Sequence, residues 1–201
     1  MIKLYDFPMS PRARKPRIVL AEKGLQYEKV NVDITKGDQK KPEYLAVNPY
    51  GKVPALQDDS TTVYESSIIM EYLNDKYPNP SLMPADPGQR ARARVLMHLG
   101  DNAYDGAFAA IVGEVFFKPK GQADQDVIAK AKQDLNACFE RLERELGSND
   151  YLVGDFSLAD ICFATWAPLF GPLQVEVPSQ CVKVNAWLNR LKERPGMKAA
   201  G

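Results

Sequence analysis

The chain has 201 residues, 45% of them hydrophobic and 26% charged, with 26 lysines and arginines balanced by 26 aspartates and glutamates. That length allows one large domain or two small ones with a real core. The charge balance recommends neither a nucleic-acid partner nor an anionic membrane. The opening MIKLYDFPMS has no apolar stretch of the kind that marks a secretory signal. The longest mostly apolar run, residues 161–170, is far too short to span a bilayer, so no membrane association is expected.

In chain order, residues 2–5 read as a short strand, 11–23 as a helix ended by Gly24, and 27–32 as a second strand. A short helical or irregular segment at 42–47 leads to a hairpin whose first strand holds Val53, Ala55 and Leu56. Its turn is Asp58-Asp59-Ser60 and its second strand is Thr61–Tyr64. A helix at 66–77 follows, with Ile68, Ile69, Tyr72 and Leu73 on one side. The order β-α-β-α-β-β-α is that of a thioredoxin-like domain, taken as residues 1–78. Four prolines in YPNPSLMPADPG make residues 79–86 a linker. Beyond it the pattern is purely helical: a long helix at 89–117, a second at 123–146 with apolar residues at helical spacing, a third from Ser157 and a fourth at 184–194. Residues 87–201 are therefore expected to form an all-α bundle, with Phe139 and Trp187 in its core.

Three local features are sharp. Ser157 and Asp160 in DFSLADI have the spacing of a capping box, with Phe156 and Ile161 placed as a hydrophobic staple. Pro54 stands inside a strand although proline offers no N–H to a ladder. Pro16 stands inside the first helix, which must either kink there or begin there. Arg12, Arg14, Lys15 and Arg17 around it read as a solvated helix face. Cys138, Cys162 and Cys181 have neither metal-ligand nor redox spacing and are expected as thiols in a reducing cytoplasm, at least two of them in helix cores. His98, the only histidine, reads as packing or interface.

The motifs NPYGKVPAL, YESSIIMEYL and YLVGDFSLADI, with SPRARKPRIVLAEKGL as the first helix, resemble the cytosolic glutathione transferases over essentially the whole chain. The resemblance implies an α/β thioredoxin-like domain ahead of a helical bundle. It also implies a homodimer joined through the helices at 66–77 and 89–117, and glutathione as co-substrate with no metal. In the family the proline of the Val-Pro pair is cis, so Pro54 lets Val53 offer its backbone N–H and C=O to the peptide like one added strand. Glu65 suits the γ-glutamyl ammonium, and Ser66 at a helix start suits the carboxylate. Lys52 and, more loosely, Lys40 are placed for the glycyl carboxylate. Ser10 matches the thiol-activating serine of serine-type members, with Tyr5 as runner-up; Ser10 also reads simply as a helix cap. Met9, Tyr104, Phe108 and Trp166 are expected to line the pocket for a small hydrophobic electrophile. The implied reaction is conjugation or displacement by the glutathione thiolate. A glutathione-dependent isomerase or peroxidase, or a non-catalytic scaffold on the same fold, are the alternatives.

Overall fold

The computed structural model describes residues 1–200, which form two compact units: residues 1–82 together with 194–200, and residues 83–193. In the first unit β1 (Ile2–Asp6), α1 (Pro11–Glu22), β2 (Tyr27–Asn31), α2 (Pro42–Leu45), β3 (Ala55–Asp58), β4 (Thr61–Tyr64) and α3 (Ser66–Lys76) follow one another. The described residues of this unit form one sheet in the order β2-β1-β3-β4. The crossover through α1 makes β1 and β2 parallel, whereas the tight turn at Asp59-Ser60 makes β3 and β4 antiparallel. This is the thioredoxin-like domain expected from the element order.

Alternation along β1 sends Ile2, Leu4 and Asp6 to one face and Tyr5 to the other. On the first face Leu4 and its cross-strand partner Leu56 are fully buried beneath the packed pair α1 and α3. On the second, Tyr5 joins a smaller cluster with Val32, Ala55 and Tyr44 of α2.

Helix α1 begins at Pro11 and runs through Pro16, so the alternative start at Pro16 does not occur. Proline at the first helical position costs nothing, because that N–H has no partner in a helix anyway. The Ser10 hydroxyl oxygen caps the helix by accepting the Ala13 N–H at 3.2 Å. The expected solvated basic face is not found. Arg12 is exposed, but Arg14, Lys15 and Arg17 are buried, the last beside the fully buried Asp6. The Ala200 carbonyl from the far end of the chain and that carboxylate draw the guanidinium groups inward, a long-range arrangement that spacing along a helix does not reveal.

In the second unit one helical path covers the expected long helix and turns π-helical twice. It comprises α4 (Pro87–Leu99), a π segment at Gly100–Tyr104, α5 (Asp105–Val112) and a second π segment at Gly113–Phe117. Then come α6 (Gln125–Leu146), α7 (Leu158–Ala164) and α8 (Val182–Lys192). Gly100 is needed where this path crosses α7: a Cβ there would stand 2.9 Å from the Cys162 Cβ. The capping box at the start of α7 is present and extended. One Asp160 oxygen accepts the Ser157 N–H and O–H, both at 2.9 Å, and the other accepts the Leu152 N–H at 3.0 Å and the Trp187 indole N–H at 2.9 Å. Burial pushes this carboxyl's pKa up from its ordinary value, against the pull of those four donors. All three cysteines are buried free thiols. His98 is exposed beside Asn102 rather than packed in the core.

Arg194 and the short helix α9 (Pro195–Ala199) belong with the first unit rather than with the helical bundle that the sequence grouped them with. Arg194 forks onto Glu22 at 2.6 and 3.2 Å, and the Gly196 N–H donates to the same carboxylate at 3.0 Å. Gly196 lets α9 lie directly on α1, since a Cβ would meet the Ile18 carbonyl at 2.8 Å. At the far end the Ala200 carbonyl accepts from Arg14 at 3.3 Å and Arg17 at 3.1 Å. No described helix is long and apolar enough to cross a membrane.

Candidate active site

Strand register decides which residues meet. Tyr5 of β1 lies opposite Ala55 of β3, and Ala55 lies opposite Tyr64 of β4. The residues that follow β1, precede β3 and follow β4 therefore emerge at one end of the sheet. They are Ser10, the Val53-Pro54 pair and Glu65-Ser66. β2 runs parallel to β1, so the connection carrying Lys40 and Lys52 leaves from that same end.

Each of the three has a defined backbone state. The turn before α1 closes when the Ser10 N–H donates to the Phe7 carbonyl at 2.9 Å. The Val53–Pro54 peptide bond is cis, and the ladder with β1 starts one residue later, leaving Val53 ahead of it. The preceding peptide is clamped: the Lys52 carbonyl accepts from the Tyr44 hydroxyl at 2.5 Å and from the Asn48 amide at 2.7 Å. Burial pushes the Tyr44 pKa up to about 12, which keeps that hydroxyl a donor. Glu65 holds φ at 69° and ψ at 117°, a region that side-chain-bearing residues avoid, at a cost on the order of 1–3 kcal/mol. The first hydrogen bond of α3 runs from the Ile69 N–H to the Glu65 carbonyl, so the Ser66 N–H precedes the helix ladder. Ser66 is buried and the Glu65 side chain is exposed.

Lys40 ends a short 3-10 helix at Asp38–Lys40, and both Lys40 and Lys52 are exposed. Gly51, at φ 58°, brings their neighbourhoods together: a Cβ there would meet the Gln39 carbonyl at 2.9 Å. Only glycine combines that backbone angle with that approach.

Two family models match the chain: "Glutathione S-transferase, N-terminal domain" over residues 1–75 and "Glutathione S-transferase, C-terminal domain" over residues 106–195. Glutathione S-transferase F10 of Arabidopsis thaliana is 32% identical, the match spanning 95% of this chain and 92% of that protein. Among solved structures, the theta class glutathione S-transferase of Xanthomonas axonopodis pv. citri, with glutathione bound, superposes with a TM-score of 0.91. It is 28% identical, with 99% of this chain and 96% of that one covered. The β-etherase LigF of Sphingobium sp. gives a TM-score of 0.84 at 30% identity, covering 99% of this chain and 98% of that one. The chain belongs to the glutathione S-transferase family.

Within this glutathione S-transferase, Tyr5 is committed elsewhere. Its hydroxyl donates to the Gln57 side chain at 2.7 Å, and Gln57 pairs with Lys3, two residues back along β1. The phenol thus leans away from the end of the sheet where Ser10 sits. The expected second-substrate residues differ in exposure. Met9 is 64% exposed, whereas Tyr104 and Phe108 are 0% and Trp166 4% exposed inside the second unit. Phe108 stacks on Trp166 and Phe170, Tyr104 meets Phe108 and Phe163 edge-on, and the Trp166 indole N–H donates to the buried Asp105 at 3.1 Å. An apolar position at helical spacing looks the same whether it faces a core or a pocket; these three face the core. Tyr44 and Asn48, which the sequence reading passed over, hold the peptide plane next to Val53. The Asn-Pro turn signal at Asn48 was the available clue.

Proposed function

We propose that the protein is a glutathione transferase that uses Ser10 to stabilise the thiolate of bound glutathione for attack on a small electrophile. The convergence of Ser10, Val53-Pro54 and Glu65-Ser66 at one end of the sheet carries this reading. Val53 offers backbone N–H and C=O to the cysteinyl residue. Ser66 and its N–H at the start of α3 receive the γ-glutamyl carboxylate, Glu65 receives the ammonium, and Lys40 and Lys52 face the glycyl carboxylate.

A free thiol with a pKa near about 8.5 is only a few per cent ionised at neutral pH. Lowering it by about 2 units takes about 2.7 kcal/mol. The N-terminus of α1 supplies roughly 0.3–2 kcal/mol, and a hydrogen bond to the charged sulfur roughly 1.5–3 kcal/mol. The Ser10 cap bond uses one hydroxyl lone pair, since Ala13 is the donor, and so leaves the O–H proton for the sulfur. Capping and activation are therefore compatible in one side chain.

The working form we propose is a homodimer in the cytoplasm. Exposed Ile68 on α3 and Val95 on α4 offer apolar surface on the two helices expected at the interface. Sedimentation should give a species of twice the 22.4 kDa chain mass. Equilibrium binding of glutathione, followed by turnover with a generic aryl halide and then a panel of electrophiles, peroxides and isomerisable substrates, tests the activity. Binding with conjugation supports the transferase. Binding with no turnover on any of them indicates a scaffold, and absence of binding overturns the site.

A further inference from the structure

Arg17 is 5% exposed, yet no glutathione group in the proposed site needs it. Burying a guanidinium is costly unless its donors are matched, and here the fork is matched on each side. Nη2 donates to the Pro8 carbonyl at 3.0 Å, Nη1 to the Ala200 carbonyl at 3.1 Å, and Nε to the Ala13 carbonyl at 3.4 Å. The charge faces Asp6 at 3.6 Å, which is itself fully buried and also met by Lys29 at 3.0 Å. Pro8 lies two residues before Ser10, in the turn whose other fastening is the Phe7 carbonyl to the Ser10 N–H. One planar cation thus joins the end of β1, the turn bearing Ser10, the body of α1 and the C-terminal end of α9.

We infer that Arg17 is the positioning residue of thiol activation: by holding the Pro8 carbonyl it sets where the Ser10 hydroxyl stands relative to the glutathione sulfur. This rests on the proposed role of Ser10. Without the Arg17 bond the residues from Phe7 to Ser10 are left to the local turn and the helix cap. Lysine keeps the charge opposite Asp6, but its three N–H donors sit on one nitrogen at the end of a flexible stem and do not reproduce a planar fork that reaches three separate carbonyls.

The test combines Arg17→Lys and Arg17→Met with Ser10→Ala. With Ser10 present, either Arg17 substitution should lower kcat about tenfold to a hundredfold, the range set by sub-ångström to ångström displacement of a reacting group. The apparent pKa of the enzyme-bound thiol should rise, while KM for glutathione stays within about threefold because the peptide's ends are held elsewhere. In the Ser10→Ala background the same substitutions should cost no more than about twofold further, since two residues acting through one hydroxyl are not additive. Arg17→Met risks misfolding beside Asp6, so Arg17→Lys decides, with thermal unfolding measured alongside. Full activity in Arg17→Lys, or equal losses on both backgrounds, overturns the inference and leaves the Ser10 reading intact. An innocuous Ser10→Ala on its own overturns both, and is seen before Arg17 is touched.

Discussion

The end of the sheet around Ser10 and the aromatic cluster around Phe108 were both expected to touch ligands, but they treat their interacting groups in opposite ways. Around Phe108 the side chains turn to one another: rings meet rings and the Trp166 indole N–H is taken by Asp105, and the buried Tyr104 hydroxyl, without a hydrogen-bond partner, faces no solvent. At the end of the sheet, groups stand outside the regular ladders: the Ser10 O–H, the backbone of Val53 and the first N–H of α3. Stability is concentrated where side chains pack against one another, and chemistry is available where secondary structure ends with valence left over.

That contrast breaks first if the aromatic cluster matters to the site. Trp166→Ala should lower stability by about 3–5 kcal/mol in denaturant titrations, with the pKa of bound glutathione unchanged; a shifted thiol pKa would return Trp166 to the catalytic neighbourhood. Ser10→Ala should do the reverse. Turnover at neutral pH should fall by one to two powers of ten, matching a lost charge-assisted bond of about 1.5–3 kcal/mol. The apparent thiol pKa should rise by roughly one to two units, while stability falls by only about 1 kcal/mol from the missing cap. Asp58 sharpens the comparison inside the first unit. It lies at the opposite end of β3, buried, with Lys76 at 2.7 Å and the hydroxyls of Tyr77 and Tyr72 at 2.8 and 3.1 Å. Burial pushes its pKa up, but those three donors outweigh it and hold the carboxyl below its ordinary value. A depressed carboxyl stabilises the fold above its unfolded-state pKa of about 4, and that stability is lost as pH falls through the lower folded value. The urea midpoint of Asp58→Asn should therefore vary less across the acid limb than that of the natural chain, with conjugation unaffected. Tyr5→Phe should have the smallest effect: about 0.5–1.5 kcal/mol of stability for the bond to Gln57, and thiol chemistry as before.

Much of this was legible in the chain. Element order, the Val53-Pro54 pair, Ser66 at a helix start and the Ser157–Asp160 box are local signals, and the structure places each of those residues as the local pattern implies. Three things were hidden for one physical reason: their causes lie far away in sequence. Arg14 and Arg17 look like surface cations until the Ala200 carbonyl arrives from the other end of the chain. Residues 195–199 read as part of the helical bundle until Gly196 seats them on Glu22 and Ile18. Tyr104, Phe108 and Trp166 have the same helical spacing as any ligand wall, and only their neighbours show which face they occupy.

Glu65 sets a direction on how this sequence can drift. At φ 69°, glycine is the residue that relaxes the backbone, and selection for hardiness alone would favour it. Glycine also removes the one carboxylate that the proposed site offers to an ammonium. The mutation most welcome to the fold is the one most hostile to the ligand. A library screened only for thermal resistance would enrich Glu65→Gly and discard glutathione binding, whereas a library screened for turnover would keep the strained glutamate and look for its stability gains elsewhere.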